Sequence, residues 1–480
     1  MAAMAPSSRI LSLAGLMMAT TLAVGLTPRP ILAAGHGHGG YKFSVVATLG
    51  DAAPGGGDHE GDFEPQDINA SGSTTFVSDL EDENGFAGEG LFLRRGGVNS
   101  LIARSGQSAP GTSTTYGFFG ALSPSGLNDA GNAAFGFTLD VPFTEFGTNA
   151  GVWRYTGASG VVTPVLLPGQ PAPGGTTFRG SLFHTDINNR NEIATVGIID
   201  TPNGNCTDPI ASCFGLGRGV YKFDKHNRAT KVAAPGDPAP GSTSTLDDAW
   251  DPNLNDRGDV VFGGHVKGEP CLGPGNGPSS IGCYESLYLY RASTGSVTSL
   301  VHQGDAKPGG GTFVLAFNGR LNNVGDVSFI GGVGSDCPRL TPPAGCTGVF
   351  LRDHDGGITA VAAPGDSLPG GTMANTTFNQ GAHAINNAGA VAFVAQLDAD
   401  TNGDSVQDTG VYLYDAGAIR TVVRTGTVIP GLGTVVHVNN PFFVGGAYPW
   451  PGVHLNERGQ VLTQVIMDTG LTHVVVATPD

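Results

Sequence analysis

One phrase, anchored on an asparagine, recurs seven times along the chain, at Asn69, Asn128, Asn188, Asn255, Asn322, Asn386 and Asn456. Three residues after the anchor stands Gly72, Gly131, Gly258, Gly325, Gly389 or Gly459, and once Asn191. Seven residues after it stands Phe76, Phe135, Phe262, Phe329 or Phe393, with Thr195 and Thr463 in the other two copies. The residue before each anchor is Ile or Leu. Asn suits the first position of a type I turn, where its side chain caps the backbone, and Gly suits the fourth, where the chain turns left-handed into a bulged hairpin. Asn tolerates that conformation better than most residues, which accounts for Asn191. Each copy therefore predicts a tight hairpin of two buried strands.

A Pro-Gly phrase precedes every hairpin ("GDAAPGG", "GQPAPGG", "GDSLPGG"), and a second hairpin pattern such as "GVYLYDAGAIRTVVR" follows each copy but the last. Units of roughly 60–70 residues with four short strands are what propeller blades look like in sequence. A chain of 480 residues with 77 glycines and 32 prolines, yet with regular apolar alternation, is turn-dense all-β rather than disordered. The opening "KFSVVATLGD" has the pattern of a fourth strand, and the end, from "VHLN" to "THVVVATPD", that of the first three. The expectation is an all-β, seven-bladed β-propeller over residues 35–480, with four-stranded blades and a ring closed by the N-terminal strand joining the C-terminal blade. An open solenoid of the same units is the alternative, and it would leave the complementary ends unused.

The tandem Asn-x-x-Gly-x-x-x-Phe motif resembles the NxxGxxxF repeat proteins, exported bacterial proteins with varied C-terminal anchors. The resemblance spans nearly the whole chain after the leader, implies export and this fold, and lends no reaction. The chain departs from that pattern by ending at Asp480 without an anchor segment, which favours release.

Arg9 is the only charge before the apolar run "ILSLAGLMMATTLAVGL", and "ILAAG" offers a processing site near Ala34. Residues 1–34 are therefore expected to be a cleaved signal peptide, with a secreted or periplasmic, monomeric product that has no membrane span after processing. A formal charge of −17 without a basic stripe excludes nucleic acid and disfavours anionic membranes. The phosphate-binding glycine loop, the dinucleotide fingerprint, the nucleophile elbow and the metalloprotease helix are all missing from the sequence.

A residue repeated in every blade is a poor candidate for a unique site, so function is sought where the units differ. Strand alternation places the Asn-x-x-Gly turns on one rim and the long insertions on the other. Three insertions hold all six cysteines, and one bridge per loop (Cys206–Cys213, Cys271–Cys283, Cys337–Cys346) is the simplest pairing in an exported chain. A fourth, "LDADTNGDSVQDTG", gathers Asp398, Asp400, Asn402, Asp404 and Asp408 in a spacing similar to the start of bacterial calcium loops. A closing acidic ligand and a flanking helix are missing, so calcium, the one cofactor considered, and a solvated acidic loop both stay open. "EDENG" at 81–85 is read as solvated.

Residues just before the anchors should approach the axis: Gln66, Asp67, His184, Asp186, Trp250, Asp251, Asn318, Arg320, His383, Trp450 and His454. Acids, histidines, an arginine and aromatics converging there could bind a sugar or perform acid–base chemistry, although any propeller fills its channel mouth with polar groups. Two readings follow: a binding or scaffold protein that holds an extracellular glycan or protein on the insertion-bearing face, and a polysaccharide lyase or hydrolase with its site in the central funnel. A lyase would use His184 or His383 as base and Arg320 against a uronate; a hydrolase would use two of Asp67, Asp186 and Asp251. His184, Asp251, Arg320 and His383 are expected to be wet, so that alanine there spares the melting temperature, and Arg257 and Glu457 on the tight turns are expected to be inert.

Overall fold

The computed structural model describes residues 40–141, 149–200, 216–269, 286–332, 347–376, 383–439 and 452–480. Over these the chain is all-β, with no helix, in a β-propeller-like arrangement. The segment 1–34, the six cysteines and Trp450 lie outside the described residues.

Each repeat folds into strands paired antiparallel in chain order; in the Asn255 unit these are Leu246–Leu254, Val260–Val266, Ser286–Arg291 and Ser296–Val301. The anchor turns form as the residue types predict. Gly258 N–H donates to Asn255 O at 2.9 Å with Gly258 at φ 82°, and Asn191 takes the same left-handed place at φ 59°. The Phe seven residues on has a packing cause. It is fully buried and faces an aromatic ring on the third strand, with centroids 5.2 Å apart for Phe76–Phe92, 5.5 Å for Phe262–Tyr288 and 5.6 Å for Phe329–Phe350. Where Thr replaces it, Thr195 pairs with Tyr221 and Thr463 with Val475.

Apolar faces then pack unit against unit. Among the described residues seven buried clusters each draw on two consecutive units, and one joins the last unit to the first through Leu462, Val474, Phe63 and Phe76. The anchor side chains tie the same neighbours together. The Nδ2 of Asn69 donates to Asn128 O at 2.9 Å, Asn128 to Asn188 O at 3.1 Å, Asn188 to Asn255 O at 3.0 Å and Asn255 to Asn322 O at 3.2 Å. Asn322 donates to Asn386 O at 3.1 Å, Asn386 to Asn456 O at 3.4 Å, and Asn456 back to Asn69 O at 2.9 Å. Each buried anchor thus caps its own turn with Oδ1 and grips the next unit with Nδ2.

Backbone pairing does not divide into the seven separate sheets that the repeats predict. Five sheets hold one unit each, while a nine-stranded sheet joins the Asn128 and Asn188 units through a parallel pair, Ser125 with Thr185. Gly126 is the cause: a Cβ there would lie 2.6 Å from Ile187 N and 3.0 Å from Asp186 Cα, so only glycine lets these two strands approach. The ends pair as their patterns predict, Tyr41–Thr48 lying antiparallel beside Thr472–Pro479.

A second belt runs one residue after the anchors. Ala70 N–H donates to Asp129 Oδ1 at 2.9 Å, Asp129 N–H to Asn189 Oδ1 at 2.8 Å, and Asn189 N–H to Asp256 Oδ1 at 2.8 Å. Asp256 N–H donates to Asn323 Oδ1 at 2.7 Å, Asn323 N–H to Asn387 Oδ1 at 2.7 Å, and Asn387 N–H to Glu457 Oε2 at 3.0 Å. Glu457 is therefore part of the scaffold, not inert as its turn position implied. The seventh link lacks an acceptor, because residue 70 is alanine. Ala70→Asn is expected to complete the belt and raise the unfolding free energy by about 0.5–1.5 kcal/mol, read by chemical denaturation.

Candidate functional site: the axial chamber

The apolar residues before the anchors form a collar on the axis. Ile68, Leu127, Ile187, Leu254, Leu321, Ile385 and Leu455 line the opening on the anchor-turn side, beside the belt, and four of them also line a cavity on the other side. That cavity, about 200 Å³, lies where the first strands enter, and Asp67, His184, Asp186, Arg320, His383 and His454 contribute to its wall. The expected ligand-binding residues are thus brought together, with Asp251 just behind them. Small drug-type pockets start near about 300 Å³, so a single small group fits here rather than a whole oligosaccharide.

A register shift in each first strand turns these side chains inward. It falls between Ser181 and Thr185, between Trp250 and Asn253, and between Phe317 and Arg320. Four residues before their anchors, His184, Asp251 and Asn318 are left-handed, with φ of 54°, 51° and 57°. Non-glycine residues are uncommon in that region, and His, Asp and Asn are the types that enter it most readily.

The carboxylates are structural members as well as wall. Asp67 accepts Ile68 N–H and, in the next unit, Leu127 N–H, both at 2.7 Å. Asp186 accepts Ile187 N–H at 2.8 Å, Leu254 N–H at 2.7 Å and Asn253 Nδ2 at 2.8 Å. Burial, with the neighbouring Asp186, pushes Asp67 up to about 7 despite these donors, and burial pushes Asp186 up to about 6.

Asp251 is different. Its Oδ1 lies 2.8 Å from His184 Nδ1 and 3.2 Å from Arg320 Nη1. Burial works to raise it, but His184 and Arg320 outweigh burial and hold its carboxyl at about 2. Burial, then the Arg320 charge, lowers His383 and His454 to about 3, so both rings are neutral. His454 Nε2 donates to Pro65 O at 3.1 Å, an approach that depends on Gly452, whose Cβ would sit 2.5 Å from that nitrogen. Trp250 is not on the cavity wall: it stands behind His184, ring centroids 6.4 Å apart, with the Arg218 guanidinium 5.8 Å from its ring centroid and Asp248 paired to Arg218.

The expected wet funnel is therefore corrected. His184, Asp251 and His383 are each 1% exposed, and the inward bulge packs His184 and Asp251 against one another across the unit boundary. Alanine at these positions should cost stability. The protonation pattern gives a pH signature. A carboxyl raised in the folded state stabilises below its unfolded value, near 3.8, and that contribution fades as pH climbs through its folded value. From about pH 4 to about pH 7 Asp67 and Asp186 should make the protein progressively less stable, and Asp67→Asn with Asp186→Asn should flatten this slope in denaturant titrations at several pH values. An unchanged slope would show that these carboxyls are not the source.

In the acidic loop the side chains point to local donors. Asp398 accepts Thr372 N–H at 3.1 Å; Asp400 accepts Gly403 N–H at 2.7 Å and Ser405 N–H at 3.0 Å; Asp408 accepts the Thr401 hydroxyl at 2.6 Å. Asp404 lies 2.8 Å from His437 Nε2 and accepts Asn402 Nδ2 at 3.0 Å, which ties the loop to the last unit. Among the described residues no three His, Cys, Asp or Glu are gathered for a metal. Sequence reasoning missed the belt of Asp129, Asn189, Asp256, Asn323, Asn387 and Glu457, although a polar residue after six of the seven anchors was its signal.

A model described as a family of unknown function, DUF7453, matches residues 35–472. This uncharacterised family is what the match shows, in place of the NxxGxxxF-named one. No curated protein matches the sequence. Among solved structures, an oligogalacturonate lyase from Vibrio parahaemolyticus is 9% identical over 92% of this chain and 97% of its own, with a TM-score of 0.47. The β-propeller domain of the Trilobed protease from Pyrococcus furiosus is 11% identical over 90% of this chain and 94% of its own, TM-score 0.45. A Trypanosoma rangeli sialidase is 10% identical over 91% and 59%, TM-score 0.36. Likenesses this distant carry no argument about ligand or reaction.

Proposed function

The chain belongs to the family of unknown function DUF7453, and from that premise we propose that it is an exported, monomeric, seven-bladed propeller that binds one residue of an extracellular glycan in its axial chamber. The observation that carries this reading is the wall itself. Acids, a guanidinium and two neutral imidazoles converge on a cavity of about 200 Å³, a mixture of donors and acceptors suited to a polyhydroxylated ring. Seven anchors in one closed hydrogen-bonded ring support the blade count, with the joined sheet counted as two blades. Kinship with the NxxGxxxF proteins, release after cleavage near Ala34, the three loop disulfides and calcium at 398–408 belong to the same reading. N-terminal sequencing, unreduced peptide mapping and calcium titration of the melting temperature test them.

A carbohydrate lyase or hydrolase is the second reading, favoured by Asp67 and Asp186 at about 7 and about 6, where acid–base catalysts work best. Binding is preferred for two reasons. Both acids already hold main-chain N–H groups across unit boundaries, and histidines lowered to about 3 are weak bases. A glycan array, run beside an activity screen on polysaccharides, decides. His383→Ala and Arg320→Gln should each weaken any glycan bound by about tenfold. Turnover of a polysaccharide would favour the enzyme; binding indifferent to both changes would remove the chamber from the account.

A further inference from the structure

We propose that the axial chamber selects a sugar bearing a protonated amine over a neutral sugar or a uronate; this rests on the chamber being the glycan site. Arg320 is the cation that a uronate would need, and it is already engaged, with Nη1 on Asp251 Oδ1 at 3.2 Å and on Gly319 O at 3.2 Å. His383 and His454 are neutral and add no positive charge. The Arg320 charge reaches Asp186 as well, but there it counts for less than burial and the two main-chain hydrogen bonds. The wall therefore keeps two carboxyls, Asp67 and Asp186, in excess of the one guanidinium that Asp251 already balances. Asp67 accepts two hydrogen bonds where a carboxylate has room for about four, so it retains acceptor capacity toward a ligand.

A second observation points into the same cavity. His383 lines it, is 1% exposed, and makes no well-formed hydrogen bond at either ring nitrogen, the Ser328 and Asn318 backbone groups lying close enough only to favour its charged form against burial. A neutral imidazole offers one acceptor and one donor, so it can accept an ammonium N–H or a sugar hydroxyl while donating to a second oxygen. An ammonium group placed between Asp67 and Asp186 would relieve their mutual repulsion and the cost of their burial together. A carboxylate in the same place would add a third acid.

The test is equilibrium binding of the full mature protein, at neutral pH and low salt, to four defined oligomers: glucosamine, N-acetylglucosamine, glucose and galacturonate. The glucosamine oligomer should bind more tightly than its N-acetylated form by about tenfold or more, since a charge-assisted hydrogen bond is about twice as strong as a neutral one. The preference should shrink in Asp67→Asn and in added salt. The oligomer comparison on the unaltered protein stands even if that variant folds poorly. Equal affinity for the amine and its acetylated form, or tightest binding of galacturonate, overturns the amine inference while keeping the chamber as a glycan site. Binding of none of the four overturns both.

Discussion

Asn255→Ala is expected to lower the unfolding free energy by about 2–4 kcal/mol, a large fraction of an ordinary domain's stability. Asn255 is 3% exposed and serves two neighbours at once. Its Oδ1 accepts Arg257 N–H and Asp259 N–H, each at 3.0 Å, and its Nδ2 donates to Asn322 O at 3.2 Å. Alanine leaves the Arg257 and Asp259 N–H groups without an acceptor, takes from Asn322 O one of its two hydrogen bonds (Gly325 N–H at 3.2 Å remains), and opens the ring at one link. Asn255→Asp separates the two roles. Aspartate keeps the turn acceptor but sets a carboxylate against Asn322 O, so it should cost at least as much as alanine if the ring matters. If aspartate were nearly neutral in denaturant titrations, the anchor would be a turn residue and nothing more.

Removing residues 41–48 is expected to have the larger effect, on the order of 5–10 kcal/mol, which approaches the whole stability of many proteins. The lost strand pairs along Thr472–Pro479, and it buries Val46 and Ala47 in the cluster that joins the last unit to the first. It also grips the first unit directly: Val46 O accepts Arg94 Nη1 at 3.0 Å and Asn99 Nδ2 at 2.8 Å. Deletion exposes an unpaired strand edge, so loss of a cooperative melt and concentration-dependent aggregation should appear together. A shortened protein that melts like the intact one would refute closure by the ends.

Much of this architecture was legible because one residue type performs one geometric task repeatedly. Asn69 and its six equivalents, the left-handed Gly or Asn191, and the buried Phe each have a local cause that survives in any unit. What escaped the sequence depends on approach between units. Gly126 looks like one glycine among 77, and only the distance to Ile187 N reveals that it joins two sheets. His184, Asp251 and His383 read as wet mouth residues because polarity was visible and burial was not, the inward bulge at His184 and Asp251 least of all. Arg320 read as a partner for a uronate, whereas packing gives it to Asp251, contributed by the preceding unit. Trp250 read as a channel aromatic and instead stands behind His184.

The most direct test of the axial chamber as the binding site is to fill it without touching its charges. Ala384 lines the cavity and its partly buried methyl also packs on the core cluster shared by the last two units, so a retained cooperative melt is the control that phenylalanine there fills the cavity and spares that core. Titrating the tightest glycan from the array into intact protein and Ala384→Phe, with melting curves for both, gives the answer. The predicted result is loss of binding by at least about a hundredfold, with a cooperative melt retained. Undiminished affinity in the filled variant would contradict the account and place the ligand elsewhere on the ring.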